Sequence, residues 1–165
     1  MQNLIVFASS NSIAADYFDK SVRGKDVATW GFAEKHRALF DKIGVGDAVI
    51  FPDRGEIKAA GVVMAAFEDK EPLQVFADKN GTPHMIGEWH KKTWQHVGED
   101  GQYGKFIVLI KMVQIRGIED YREYILTKEG KAWDSTGNGY PHRKDSVFEH
   151  RQAWGLIDRI RDSVK

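Results

Sequence analysis

The chain contains no cysteine, which removes disulfides, thiol nucleophiles and thiolate metal sites at a stroke. It also carries no formal net charge, since 24 Lys plus Arg balance 24 Asp plus Glu. A protein that coats nucleic acid through phosphate attraction is normally basic, so this balance argues against packaging. It leaves room for a reader with a local basic patch and one specific pocket. Long apolar runs are missing as well. The stretch Phe106 to Ile110 falls far short of the ~20 residues that a bilayer-spanning helix needs. No basic segment followed by a long apolar one opens the chain, so no secretory signal is read and a cytoplasmic protein is expected. Internal repeats, low-complexity tracts and linker-like stretches are absent too.

What remains is an ordinary globular composition. With 165 residues, 42% hydrophobic and 29% charged, the expectation is one domain, residues 1–165, with a sizeable core. Asn3 to Ala8 is a short apolar run with β-branched and aromatic members and reads as a buried strand. Ser9-Ser10-Asn11-Ser12 offers capping side chains for a short helix from Ile13 to Phe18, ended by Gly24. Phe32, His36, Leu39, Phe40 and Ile43 recur at helical spacing, with Gly44 as the stop. Ala48 to Phe51 reads as a buried strand, Pro52 to Gly55 as a turn, and Ile57 to Phe67 as the return strand, bulged or closely approached at Gly61.

Further on, Leu73 to Ala77 reads as a short strand before the Asn80-Gly81 turn signal, and Lys105 to Ile115 as the longest strand candidate. Gly130 to Lys144 reads as a loop. Phe148, Trp154, Ile157, Ile160 and Val164 trace an apolar stripe on a closing helix. The sum is an α+β fold, a small curled sheet or barrel with flanking helices.

Chemistry-bearing groups give little. His84, His90 and His96 match no zinc-site spacing, and His142 and His150 complete no nuclease metal motif. The pairs Glu99-Asp100 and Glu119-Asp120 read as surface charge. Gly24, Gly44, Gly46 and Gly55 lack the Lys-Ser/Thr partner of a phosphate loop. No catalytic centre, metal or cofactor is therefore expected.

The tryptophans are more telling. Trp30 lies in Asp26-Val27-Ala28-Thr29-Trp30-Gly31, just before the expected helix. Trp94 lies in the polar, basic stretch Glu88 to His96, which also holds Trp89, Lys91 and Lys92. Aromatic faces among cations are suited to stacking a base.

The order of these features resembles the PUA-like superfamily, and within it the EVE and YTH domains. The likeness runs from Leu4 to about Phe148. It rests on Ser9-Ser10-Asn11 after the first strand, on Trp30, and on His36-Arg37-Ala38-Leu39-Phe40. It continues through Gly46-Asp47 before an apolar strand, Gly61-Val62, Trp94 ahead of Tyr103-Gly104-Lys105-Phe106, and Asn138 to Asp145. The chain departs from the pattern at Ser9, where a lysine is usual, and in lacking the EVE Ser-Glu-Pro signature.

The resemblance implies a reader of a modified base, N6-methyladenine or 5-methylcytosine, flipped from DNA into an aromatic pocket. Trp30 and Trp94 would wall that pocket, with Trp89 close by. Ser10, Asn11, Thr29 and the Gly31 backbone would bond the base edge, and Arg37, Lys91, Lys92 and Lys105 would meet phosphates. Partners would be methylated DNA in preference to RNA, and a nuclease or NTPase domain or subunit of a modification-dependent restriction system. Each assignment has a plain structural alternative: core packing for the tryptophans, helix capping for Asn11, a solvated surface for the lysines. RNA binding by the same fold, and a small-molecule enzyme or ligand-binding domain using the same cavity, are the functional alternatives.

Overall fold

A computed structural model describes residues 2–8, 15, 18–19, 21–32, 36–68, 106–132 and 145–164, together with the backbone of 75–77 and 83–85. Its centre is a six-stranded mixed sheet in the order β2-β7-β4-β3-β1-β8. The strands are β1 (Leu4–Val6), β2 (Val27–Phe32), β3 (Ala48–Asp53), β4 (Glu56–Glu68), β7 (Phe106–Val113) and β8 (Ser146–Phe148). A separate two-stranded pair, β5 (Val75–Ala77) and β6 (Pro83–Met85), is antiparallel. Only β1 and β3 run parallel; every other pairing in the large sheet is antiparallel. The fold is thus α+β. The sheet is open, with β2 and β8 at its two ends rather than paired with each other.

Side-chain alternation gives the sheet two different faces. On one face Leu4, Val6, Ile50 and Phe148 meet Leu156, Ile157 and Ile160 of the closing helix and Tyr121 of a short 3-10 turn, Tyr121–Tyr124. That helix, α2 (His150–Asp162), begins with a capping box. Glu149 donates its backbone N–H to Gln152 Oε1 at 3.0 Å. Gln152 then reaches out with Nε2 to the Leu126 carbonyl at 3.1 Å, tying the helix start to the preceding loop.

The other face is aromatic. Phe7, Phe18, Trp30, Phe32, Phe51 and Phe106 pack there with Ile5, Val49, Val63 and Val108. A shorter apolar row, Ile107 and Leu109 with Ala65 and Phe67, continues the first face toward the β2 end.

Several expectations need correcting. Phe32 belongs to β2, not to a helix, because the strand stays paired with β7 as far as Phe32 opposite Phe106. The helix after it, α1, covers only Arg37–Phe40. Phe148 is likewise in a strand, paired with Leu4. Trp154 is 60% exposed. The helical geometry breaks at Ala153 (φ −142°, ψ 24°), and the buried stripe is Ala153, Leu156, Ile157 and Ile160 instead. The expected Pro52 to Gly55 turn shrinks to Arg54-Gly55, since β3 continues through Asp53. Pro52 is tolerated because it lies beyond Ile50, the last β3 residue that β1 pairs.

The longest strand is β4 rather than β7, with 13 residues against 8. Its register shift falls between Val63 and Ala65, not at Gly61. Gly61 is nonetheless closely approached: a Cβ there would stand 2.4 Å from Ile110 Cγ2 and 2.5 Å from the Lys111 carbonyl oxygen. The Asn80-Gly81 turn and most of the Ile13 to Phe18 helix lie outside the described residues. Because Lys111 is backbone and cannot step aside, Gly61→Ala is expected to cost about 1–3 kcal/mol. Urea unfolding, reading the midpoint at unchanged m-value, checks this.

Candidate functional site

Trp30 is 4% exposed and stands in the aromatic layer. Phe7 stacks on it with ring centroids 5.6 Å apart and planes 23° apart. Phe51 meets it edge-on at 5.0 Å. One indole face is therefore covered by Phe7, the residue that follows β1.

Thr29 and Gly31 lie opposite Leu109 and Ile107, so alternation turns them to the other side of the sheet. The Thr29 side chain is 0% exposed, and its hydroxyl has no hydrogen-bond partner among the described residues. The structure thus separates Trp30 from the Thr29 side chain by the thickness of the sheet. Arg37 is exposed at the start of α1. Its guanidinium lies 5.5 Å from the Phe106 ring centroid and 3.9 Å from Asp41. Ser10, Asn11, Trp89, Lys91, Lys92, Trp94 and Lys105 all lie outside the described residues.

The Gly46-Asp47 step of the resemblance has a clear structural task. Asp47, 5% exposed, accepts the backbone N–H of Asn3 at 2.9 Å and of Gly44 at 2.8 Å. It thereby ties the entry of β1 to the turn before β3. Gly46 adopts φ +92° in that turn, a conformation open to glycine at little cost.

A second carboxylate at the other end of β1 went unnoticed as a site residue in the sequence. Asp145 accepts the Ala8 backbone N–H through Oδ1 at 2.8 Å. The β1–β8 register pairs Ile5 with Val147 and Val6 with Ser146. Continued by one pair, it sets Asp145 opposite Phe7, on the aromatic face. Burial pushes this carboxyl from the ordinary 3.8 up to about 6, against the opposing pull of the Ala8 N–H. The available signal was a single acid directly before an apolar β-branched strand, at the point where the Asn138 to Asp145 motif ends.

At the same end of the sheet an open groove of about 750 Å³ is lined by Phe18, Arg23, Lys25, Lys58 and Arg116 along with Asp26, Asp53 and Glu56. Lys58 Nζ sits 4.3 Å from the Phe18 ring centroid. Burial lowers its pKa, partly countered by Asp53 and Asp19. The lining mixes both signs, and Arg23 is already paired with Asp19 at 2.8 Å. Such a groove has little net pull on an anion. No group of acidic or histidine side chains that could hold a metal occurs among the described residues, and no helix among them is long and apolar enough to cross a membrane. The chain matches no known family model and no characterised protein sequence.

Two outcomes follow from these placements. Trp30→Ala is expected to destabilise the protein by about 3–5 kcal/mol, with Trp30→Phe costing far less, both read by chemical denaturation. Asp145 binds a proton in the folded state that the unfolded chain releases between pH 4 and 6. Stability should therefore fall as pH rises through that window and level off above it, by on the order of 2–3 kcal/mol. Asp145→Asn should abolish this slope and be more stable than the parent at pH 7, which thermal melts across pH 4–8 would show.

Proposed function

We propose that the chain is a PUA-like, EVE/YTH-related domain that holds a modified base of DNA against Trp30, and that it forms the specificity part of a modification-dependent restriction system. Cleavage or translocation then comes from a partner nuclease or NTPase domain or subunit. The observation that carries this reading is the juxtaposition at the end of β1. Phe7 stacks on Trp30, and the next residue, Ala8, is bonded to the half-buried Asp145 carboxyl. An aromatic wall beside a desolvated polar group is what a base pocket requires, one to stack the ring and the other to read its edge. The α+β sheet with a helix on one face is compatible with the PUA-like assignment.

The energetics suit a reader whose selectivity lies in the pocket. Stacking yields roughly 1–3 kcal/mol per base, while extruding the base costs a few kcal/mol. A buried methyl adds about 0.8 kcal/mol, equivalent to about fourfold in affinity. The balanced charge keeps non-specific phosphate attraction low, so base contacts stand out above it.

The test is binding to matched DNA and RNA oligonucleotides, with and without N6-methyladenine or 5-methylcytosine, at near-physiological salt. The expected result is a preference of about fourfold or more for one methylated DNA, weakened in Trp30→Phe. Equal affinity for methylated and unmethylated strands overturns the reading. A preference for a modified RNA would instead assign the same pocket to RNA.

A further inference from the structure

Lys58 owes its position to a break in strand register. Phe51 pairs with Ala59 and Pro52 with Ile57, so Lys58 is the extra residue of a β-bulge in β4. The packing on either side shows what the bulge does. Ile57 and Ala60 belong to the layer under α2, whereas Ala59 packs on the aromatic layer. Strict alternation from Ala59 would send Lys58 toward α2. It turns to the aromatic layer instead, with Nζ 4.3 Å from the Phe18 ring centroid. The bulge thus delivers an amine into the open groove of about 750 Å³, a size within the ~300–1,000 Å³ of small-molecule sites. We propose that this groove binds a small uncharged aldehyde or ketone, which Lys58 captures as an imine. The site is separate from Trp30 and independent of the base-binding reading.

Capture needs an unprotonated amine, room for the carbonyl compound, and groups that relay protons. The Nζ lone pair attacks the carbonyl carbon and forms the C–N bond, while the C=O π pair moves onto oxygen. One proton passes from nitrogen to that oxygen to give a carbinolamine. The oxygen then leaves as water with the second nitrogen proton, and the nitrogen lone pair closes the C=N bond. An amine and a carbonyl compound give an imine and water, with no change of oxidation state and no further reactant. Carboxylates able to relay the protons line the same groove, at Asp26, Asp53 and Glu56. Burial lowers the pKa of Lys58; Asp53 and Asp19 oppose this, and Arg23 adds to it. A desolvated lysine beside another cation is the kind that supplies a nucleophilic amine.

The charges around the amine set the ligand class. Besides Lys58, the lining holds the cations Arg23, Lys25 and Arg116 and the acids Asp26, Asp53 and Glu56. Arg23 is also paired with Asp19 at 2.8 Å. In so mixed a field neither an anion nor a cation gains much, and a neutral molecule loses least on leaving water. Ile57, Ala59 and Met112 in the same lining give its hydrocarbon part an apolar surface. The carbonyl group then finds the amine that the bulge has turned toward it.

The experiment incubates the full chain with benzaldehyde or butanal and sodium cyanoborohydride, which reduces an imine to a stable secondary amine. Peptide mass spectrometry then reads the rate of labelling at each lysine. Lys58 is expected to label several-fold faster than Lys42 and Lys128, which are exposed and outside the groove. Its rate should saturate with aldehyde concentration, as binding before capture requires, while theirs rises linearly. In urea the three lysines should label alike, because the advantage comes from the fold. Lys58→Arg keeps the charge and is expected to lose the saturable labelling, with the rates at Lys42 and Lys128 unchanged. Labelling of native Lys58 no faster than that of Lys42 overturns the inference. So does a rate at Lys58 that stays linear in aldehyde, or an advantage that survives unfolding.

Discussion

β1 is three residues long, wholly buried, and hydrogen-bonded on both sides, to β3 in parallel and to β8 in antiparallel register. So short a strand cannot hold its own ends in place. A carboxylate closes each one: Asp47 accepts the N–H of Asn3 at the entry, and Asp145 accepts that of Ala8 at the exit. Both faces of the molecule depend on this element. Leu4 and Val6 seat α2 on one side, while Ile5 and Phe7 begin the aromatic layer on the other. A shift of one residue would exchange the two faces, putting Phe7 under the helix and withdrawing it from Trp30.

The two carboxylates perform the same backbone task in different settings. Asp47 takes two N–H donors within a tight turn. Asp145 takes one from the described residues, that of Ala8, and burial raises its pKa to about 6. A half-buried carboxyl whose charged form is disfavoured by desolvation is a cost for folding, of the kind that clusters at functional sites. Had the position only to hold Ala8, an asparagine would do so without an ionisation penalty. That contrast is the physical reason for reading Asp145 as more than a strand clasp.

Much of the sheet was legible in the residues because its strands are short, apolar and β-branched. Leu4 to Val6, Ala48 to Phe51 and the strand from Phe106 all appear where the pattern puts them, as does the close approach at Gly61. The misreadings share one cause. Phe32 and Phe148 fall at helical spacing from the residues that follow, and local periodicity cannot see that β7 and β1 claim them as strand partners. Trp154 fails for a different reason: a break at Ala153 rotates the helix, which no spacing rule anticipates. The aromatic layer was only half visible. Trp30 stood out by its type, whereas Phe7 and Phe51 looked like ordinary strand residues, and Asp145 looked like an ordinary loop acid. Their meeting is a property of the β1–β3–β8 register, which the linear sequence does not display.

Alternation also constrains what any pocket beside Trp30 can contain. Thr29 and Gly31 can offer that face only their backbone, which β7 already engages on one side, so side-chain contacts to a base must come from other strands. Where β1 ends and β8 begins, the described residues supply one acid, Asp145, bonded to the Ala8 N–H. Stacking alone does not discriminate among bases, since every base has a π-face. With formal charge balanced over the chain and the Lys58 groove already self-paired, phosphate attraction adds little selectivity either. Discrimination at any such site therefore has to pass through the polar atoms at its edge.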